Sequence, residues 1–178
     1  MESKYLCVMA LFDEDTNLKI QKIRDILAEN NLSFSLYPPH ITIGAYVDIN
    51  KDILTNYISD FVSKTKFITI NLNTIGNFSN KVIFLTSDDT NNIKNLHFNF
   101  HQKYDEYHGN VGYNYSLKSN KFTPHMTLLQ SNNENDIEKA LKLLKELNIN
   151  INAKISKIGL YEFHPIREIK IFNLKKDN

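Results

Sequence analysis

The sequence predicts an α+β fold, bilobal, with two pseudo-symmetric lobes whose antiparallel sheets flank a central groove and whose helices lie outside. Three observations lead there. The tetrapeptide Pro-His-x-Thr occurs twice, as Pro39-His40-Ile41-Thr42 and Pro124-His125-Met126-Thr127, 85 residues apart in a chain of 178. Each copy lies within the same order of elements: strand, helix, motif strand, helix, strand. No linker or low-complexity stretch separates the halves. One unit over residues 1–178 is therefore expected, with interleaved lobes that correspond roughly to 1–80 and 81–178 as sequence halves.

The apolar run at 5–12 reads as a strand. Residues 13–17 offer several N-cap side chains, and Ile20, Ile23, Ile26 and Leu27 then recur at helical spacing as far as Asn30-Asn31. Pro38-Pro39 leads into the first motif strand, 40–47. Asp48 or Asn50 caps a second helix with the stripe Ile53, Leu54, Tyr57, Ile58, Phe61 and Val62. Alternation of Ile68, Ile70 and Leu72 with polar residues predicts one half-buried strand over 67–75, followed by a turn at 76–80 and a strand at 82–85. The second half repeats the order. A helix capped near Asp88-Asp89 carries Ile93, Leu96, Phe100 and Tyr104 on one side, and a glycine-containing loop spans 108–121. The second motif strand covers 125–130, and Asn133 or Asn135 caps the next helix. Two strands, 151–163 and 167–174, close the chain around His164-Pro165.

Hydrophobic residues make up 42% and charged residues 23%, as in ordinary globular proteins. The net charge of +1 argues against a protein that wraps long duplex nucleic acid, so any nucleic acid is engaged at an end or over a few nucleotides. Cys7 has no partner for an internal disulfide and reads as a small buried thiol. The eight-residue run around it is too short to span a membrane and lacks a signal peptide's basic start and cleavage site. A cytoplasmic monomer without membrane contact is expected.

On a strand, His and Thr two apart share one face while the apolar residues between and after them anchor the other. Three of the four prolines stand immediately before the two histidines, and each stiffens the entry into its strand. Two facing strands of this kind place two imidazoles and two hydroxyls around one small anion. With a reference pKa of about 6.5, one imidazole can take a proton from an attacking hydroxyl while the other protonates the departing oxygen. The hydroxyls can donate to the non-bridging phosphoryl oxygens. This scheme requires no metal and no cofactor.

With both motifs, their separation, the element order and the closing strands around Ile158-Gly159-Leu160-Tyr161, the chain resembles the 2H phosphoesterase superfamily. That superfamily includes the LigT-like RNA 2′,3′-cyclic phosphodiesterases and 2′-5′ RNA ligases, and is named for two His-x-Thr/Ser motifs. The resemblance implies catalytic His40 and His125, phosphate-binding Thr42 and Thr127, and a substrate that is a nucleotide or RNA end with a cyclic phosphate or 2′-5′ linkage. It also implies His125 as base and His40 as acid when a cyclic phosphate is hydrolysed, the roles exchanging when one is formed. Members of the RNA branch often carry an Arg shortly after the second motif, where Gln130 stands here. That difference leaves room for other cyclic-phosphate substrates, and for a binding module that holds a phosphorylated ligand without turning it over.

Other residues carry weaker signals. His97 and His101, four apart on a helix, have metal-ligand spacing but lack the glutamate of a zinc-protease helix. They are expected to face solvent or the groove edge, as His108 and His164 are expected at the surface. Tyr113, Tyr115, Phe34 and Tyr37 can stack on a base or simply pack. Lys81, Lys118, Lys121 and Arg167 are candidates for further phosphate contacts.

Overall fold

The strand Tyr5–Phe12 (β1) divides its side chains between two hydrophobic clusters. Leu6, Val8, Ala10 and Phe12 enter the main core, whereas Cys7, Met9 and Leu11 join Tyr161 on the opposite face. This is the alternation that a strand buried on both faces requires. The computed structural model describes residues 4–176. After β1 come α1 (Glu14–Glu29), β2 (His40–Tyr46), α2 (Lys51–Val62), β3 (Ile68–Leu72), β4 (Thr74–Phe78), β5 (Val82–Thr86) and α3 (Asn91–Phe100). Three short 3₁₀ turns follow, then β6 (Met126–Gln130), α4 (Glu134–Glu146), β7 (Ile151–Phe163) and β8 (Arg167–Asn173).

The strands form two antiparallel sheets. The first runs β2-β1-β7-β3, with β8 also paired to β7, and the second runs β4-β5-β6. Each sheet holds one motif strand. The long β7 pairs with β3 through its first residues and with β8 through its later ones, while β1 lies along most of its length. Each sheet thus draws on both halves of the chain. A single main core joins them: Ile20, Leu27, Leu54 and Ile58 from the first half pack in one cluster with Ile83, Met126, Leu128 and Leu144 from the second.

Three helix starts follow the expected chemistry. The side chains of Asp13, Asn50 and Asn133 each accept a backbone N–H from the first turn that follows. α3 differs, because Thr90 occupies the cap position and Asp89 instead accepts from the Asn91 amide. That helix ends at Phe100, and Tyr104 lies beyond it at φ 64°.

The expected single strand over 67–75 is two strands in different sheets. At the junction the Asn73 amide donates to the Thr86 carbonyl, and its side chain accepts from the Asp88 amide. β3 buries even-numbered positions as far as Leu72, and the phase shifts at the junction, where Thr74 is exposed and Ile75 half-buried. The expected turn at 76–80 is also shorter, since β4 runs to Phe78 and only Ser79 and Asn80 take positive φ. Among the described residues, no helix is long and apolar enough to cross a membrane.

β2 lies at the margin of its sheet, where an open row of backbone groups would stand exposed. The chain between α3 and β6 covers it: the Val47 amide donates to the Tyr107 carbonyl, and Gly112 sits against Ala45. A Cβ at position 112 would lie 2.0 Å from the Ala45 carbonyl oxygen and 2.6 Å from that of His108. Both obstacles are backbone, so side-chain movement cannot relieve them. Gly112→Ala is expected to destabilise the protein by about 1–3 kcal/mol. A lowered urea midpoint checks this, and an unchanged midpoint contradicts the clamp.

Candidate active site

The two motif strands are built alike down to their irregularities. In each, the histidine Nδ1–H donates to the carbonyl two residues earlier, at 2.7 Å from His40 to Pro38 and 2.8 Å from His125 to Thr123. Those carbonyls belong to the Pro38–Pro39 and Thr123–Pro124 amides. This explains the motif's proline: its fixed φ, and the extended geometry imposed on the residue before it, aim that carbonyl at the ring. A carbonyl can only accept, so the bond settles the tautomer. In both neutral rings Nε2 carries the lone pair.

Each strand also bulges just after its threonine. Opposite β1, Thr42 pairs with Met9 and Gly44 with Val8, leaving Ile43 as the extra residue. Opposite β5, Thr127 pairs with Phe84 and Leu129 with Ile83, leaving Leu128. A bulge re-aims the side chains beside it and frees a carbonyl from the ladder. Both freed carbonyls have partners. His101 Nε2 donates to Ile43 O at 2.6 Å, and the Ser35 amide donates to Leu128 O at 2.8 Å. The second bond crosses from the loop before the first motif to the second motif, and so ties the two strands together.

His40, Thr42, His125 and Thr127 all line one cavity of about 630 Å³. Its walls include Phe34, Tyr37, Tyr115, Gln130 and Phe163. Burial lowers the His40 pKa to about 4, and the neighbouring His125 and Arg24 add to this against the Pro38 carbonyl bond. Burial likewise lowers His125, opposed by its bond to Thr123. Edge-on contacts to Phe78 and Phe84 at 4.9 and 5.3 Å flank the His125 ring. Burial raises the Cys7 thiol and the Tyr115 hydroxyl to about 12 each, so both stay protonated within reach of the Thr42 hydroxyl. Around neutral pH the cavity therefore presents two uncharged imidazoles and several hydrogen-bond donors. An entering phosphate would favour protonation of either ring.

The weaker candidates separate clearly. Tyr115, Phe34 and Tyr37 line the cavity, whereas Tyr113 packs edge-on against His108. Lys121 lines an adjoining cavity beyond His125, and Arg167 pairs with Glu162 at 3.0 Å. Lys81 and Lys118 line neither cavity. His108 and His164 are half-buried instead of fully at the surface.

The expectation for His97 and His101 is wrong: both are buried, at 4% and 3% exposure. His97 lies on α3 and His101 caps its C-terminal end, and both rings turn inward to buried hydrogen-bond partners. His97 Nε2 donates to the Tyr115 carbonyl, and His101 bridges Ile43 O and the Asp105 carboxylate. Sequence reasoning also missed Tyr5, Cys7 and Phe163 as cavity residues. They stand on the face of β1 and β7 opposite the main core, where strand alternation alone places them. Arg24 is a further omission. It is buried on α1, and its Nη2 donates to the Tyr37 carbonyl at 2.9 Å, holding the loop ahead of His40.

A family model described as the 2′-5′ RNA ligase superfamily matches residues 12–165. Among solved structures the chain is similar to TT0787 of Thermus thermophilus, with a TM-score of 0.63 and 12% identity over 98% of this chain and 100% of that one. It is also similar to E. coli LigT in apo form, with a TM-score of 0.61 and 14% identity over 98% and 99% of the two chains. For E. coli LigT complexed with 3′-AMP the TM-score is 0.60 and the identity 13%, with the same coverage. Likeness at these identities speaks for the fold. No curated protein sequence matches the chain.

The carbonyl bonds make a direct spectroscopic prediction. At pH 7 the ring ¹⁵N signals of His40 and His125 should show a protonated Nδ1 and an unprotonated Nε2 in both residues. A protonated Nε2 with a bare Nδ1 in either ring would contradict the arrangement.

Proposed function

Because the chain belongs to the 2′-5′ RNA ligase superfamily, we propose that it is a metal-independent phosphodiesterase acting on 2′,3′-cyclic phosphates and related RNA or nucleotide phosphodiesters. One observation carries this reading: two imidazoles with the same tautomer border a single cavity beside two threonine hydroxyls. Phosphoesterase-type chemistry accords with the superfamily. The cyclic substrate and the two-histidine mechanism are our own assignment.

In the proposed hydrolysis, Nε2 of His125 takes a proton from water as the water oxygen bonds to phosphorus. The bond from phosphorus to one ribose oxygen breaks, and that oxygen takes a proton from Nε2 of His40. The product is a phosphomonoester. Thr42 and Thr127 donate to the non-bridging oxygens, where charge grows in the transition state. Each imidazole supplies about 10²–10⁴-fold in rate.

Two predictions test the assignment. Hydrolysis of a 2′,3′-cyclic nucleotide should persist in EDTA, while His40→Ala and His125→Ala each lower kcat by about 10²–10⁴-fold. Activity that survives both substitutions, or that EDTA abolishes, would contradict the proposal. Nucleotide binding by calorimetry without turnover of any substrate would point instead to a binding module.

The second prediction concerns pH. Both rings lose their protons below the ordinary histidine value, and His40 does so near 4 in the free protein. The acid form is therefore scarce at neutral pH and grows on acidification. Measured kcat/KM should rise as pH falls from 8 to 6, with its optimum on the acid side of about 6.5. A profile that is flat or rises toward pH 8 would count against two-imidazole catalysis.

A further inference from the structure

No Lys, Arg, Asp or Glu side chain is among the residues that line the cavity of His40 and His125. A phosphoryl group entering it brings negative charge, while both imidazoles are uncharged around neutral pH in the free protein. One permanent charge lies behind the wall. Arg24 is only 5% exposed, and among the described residues no carboxylate forms an ion pair with it. The chain's other arginine, Arg167, is exposed and pairs with Glu162 at 3.0 Å. Nε of Arg24 is buried and has no hydrogen-bond partner among the described residues. Taking a guanidinium out of water is costly unless an opposite charge answers it.

The contacts of Arg24 lead to the cavity. Its Nη2 donates to the Tyr37 carbonyl at 2.9 Å, and the guanidinium lies over the Phe34 ring, 5.8 Å from the centroid. Phe34 and Tyr37 both line the cavity. The next carbonyl along the chain, that of Pro38, accepts from His40 Nδ1–H at 2.7 Å. Arg24 and His40 therefore grip consecutive carbonyls, and the charge of Arg24 acts on the His40 ring.

We propose that Arg24 is the fixed cation of this site: it positions the Tyr37-Pro38 backbone ahead of His40, and the phosphoryl group bound in the cavity supplies its counter-charge. This rests on the two-histidine reading above. Arg24 touches no reacting atom and moves no proton. It acts by Coulomb attraction, which buried surroundings strengthen and salt screens little. In the free protein the same charge opposes a proton on His40, as do burial and His125. A bound anion offsets the field of Arg24 and favours protonation of the ring. Anion binding is thereby coupled to the acid form of His40, the state that the proposed hydrolysis requires.

The test measures binding of inorganic phosphate to the full chain by calorimetry at pH 8 in wild type, Arg24→Lys, Arg24→Gln and Arg24→Met. Gln can still donate to the Tyr37 carbonyl but carries no charge, whereas Lys keeps the charge and loses the planar fork. Gln and Met should each weaken phosphate binding about tenfold, and Lys by less than about threefold. In the free protein the ¹⁵N titration of His40 should move up toward about 6.5 in Gln and Met and stay in place in Lys. The Lys and Gln pair decides the matter alone if Met fails to fold. Equal affinity in all variants, or a loss in Lys as large as in Gln, would overturn the charge role and leave the phosphodiesterase reading intact. A wild type that binds no phosphate would overturn both.

Discussion

Each motif histidine is held by one hydrogen bond, from Nδ1–H to the carbonyl of an X–Pro amide two residues back, and the molecule is arranged to make that bond twice in one groove. The bond commits one ring nitrogen and turns the other toward the cavity. For both rings to reach the same anion, the two motif strands must belong to different sheets that share a core. The long β7 and the continuous cluster from Ile20 to Leu144 meet that requirement. The bulges at Ile43 and Leu128 complete it by releasing a carbonyl beside each threonine, where His101 and Ser35 can grip the strand.

This geometry accounts for residues that take no part in the proposed chemistry. His97 fixes the backbone of Tyr115, whose ring lines the cavity. His101 joins the bulge of β2 to Asp105, which also accepts the Leu117 amide. The connection from α3 to β6 thus covers the open margin of β2 and sets one wall of the cavity. Arg24 serves the opposite wall through the Tyr37 carbonyl. Removing a partner from such a buried hydrogen bond typically costs about 1–3 kcal/mol, comparable to deleting a small part of the core. The same residues that hold the site therefore also hold the fold.

Much of this was legible in the sequence, for physical reasons. The stripe of Leu54, Ile58 and Val62, the capping residues Asp13, Asn50 and Asn133, and the repeated motif are local patterns whose meaning does not depend on distant partners. The break at Asn73 shows in the sequence only as a shift of phase from Leu72 to Ile75, and the change of hydrogen-bond partner to Thr86 that defines it is a tertiary pairing that local pattern does not reveal. His97 and His101 were misplaced because a histidine on a helix looks alike whether it meets water or a buried carbonyl. Tyr5, Cys7 and Phe163 were passed over because strands buried on both faces give no sign of which face borders a cavity. Gln130, which stands where an arginine is common, does line the cavity, and Arg24 shows that a cation close to His40 can come from an unrelated helix.

The central claim is that His40 and His125 share one anion, and titration with inorganic phosphate tests it most directly. The ring ¹⁵N signals of both residues would be followed against pH, with and without phosphate. The account predicts that phosphate raises the apparent pKa of both rings together, along one saturation curve, and that Thr42→Ala or Thr127→Ala weakens the response at both. A response confined to one histidine, or two responses with different affinities, would contradict a single shared site.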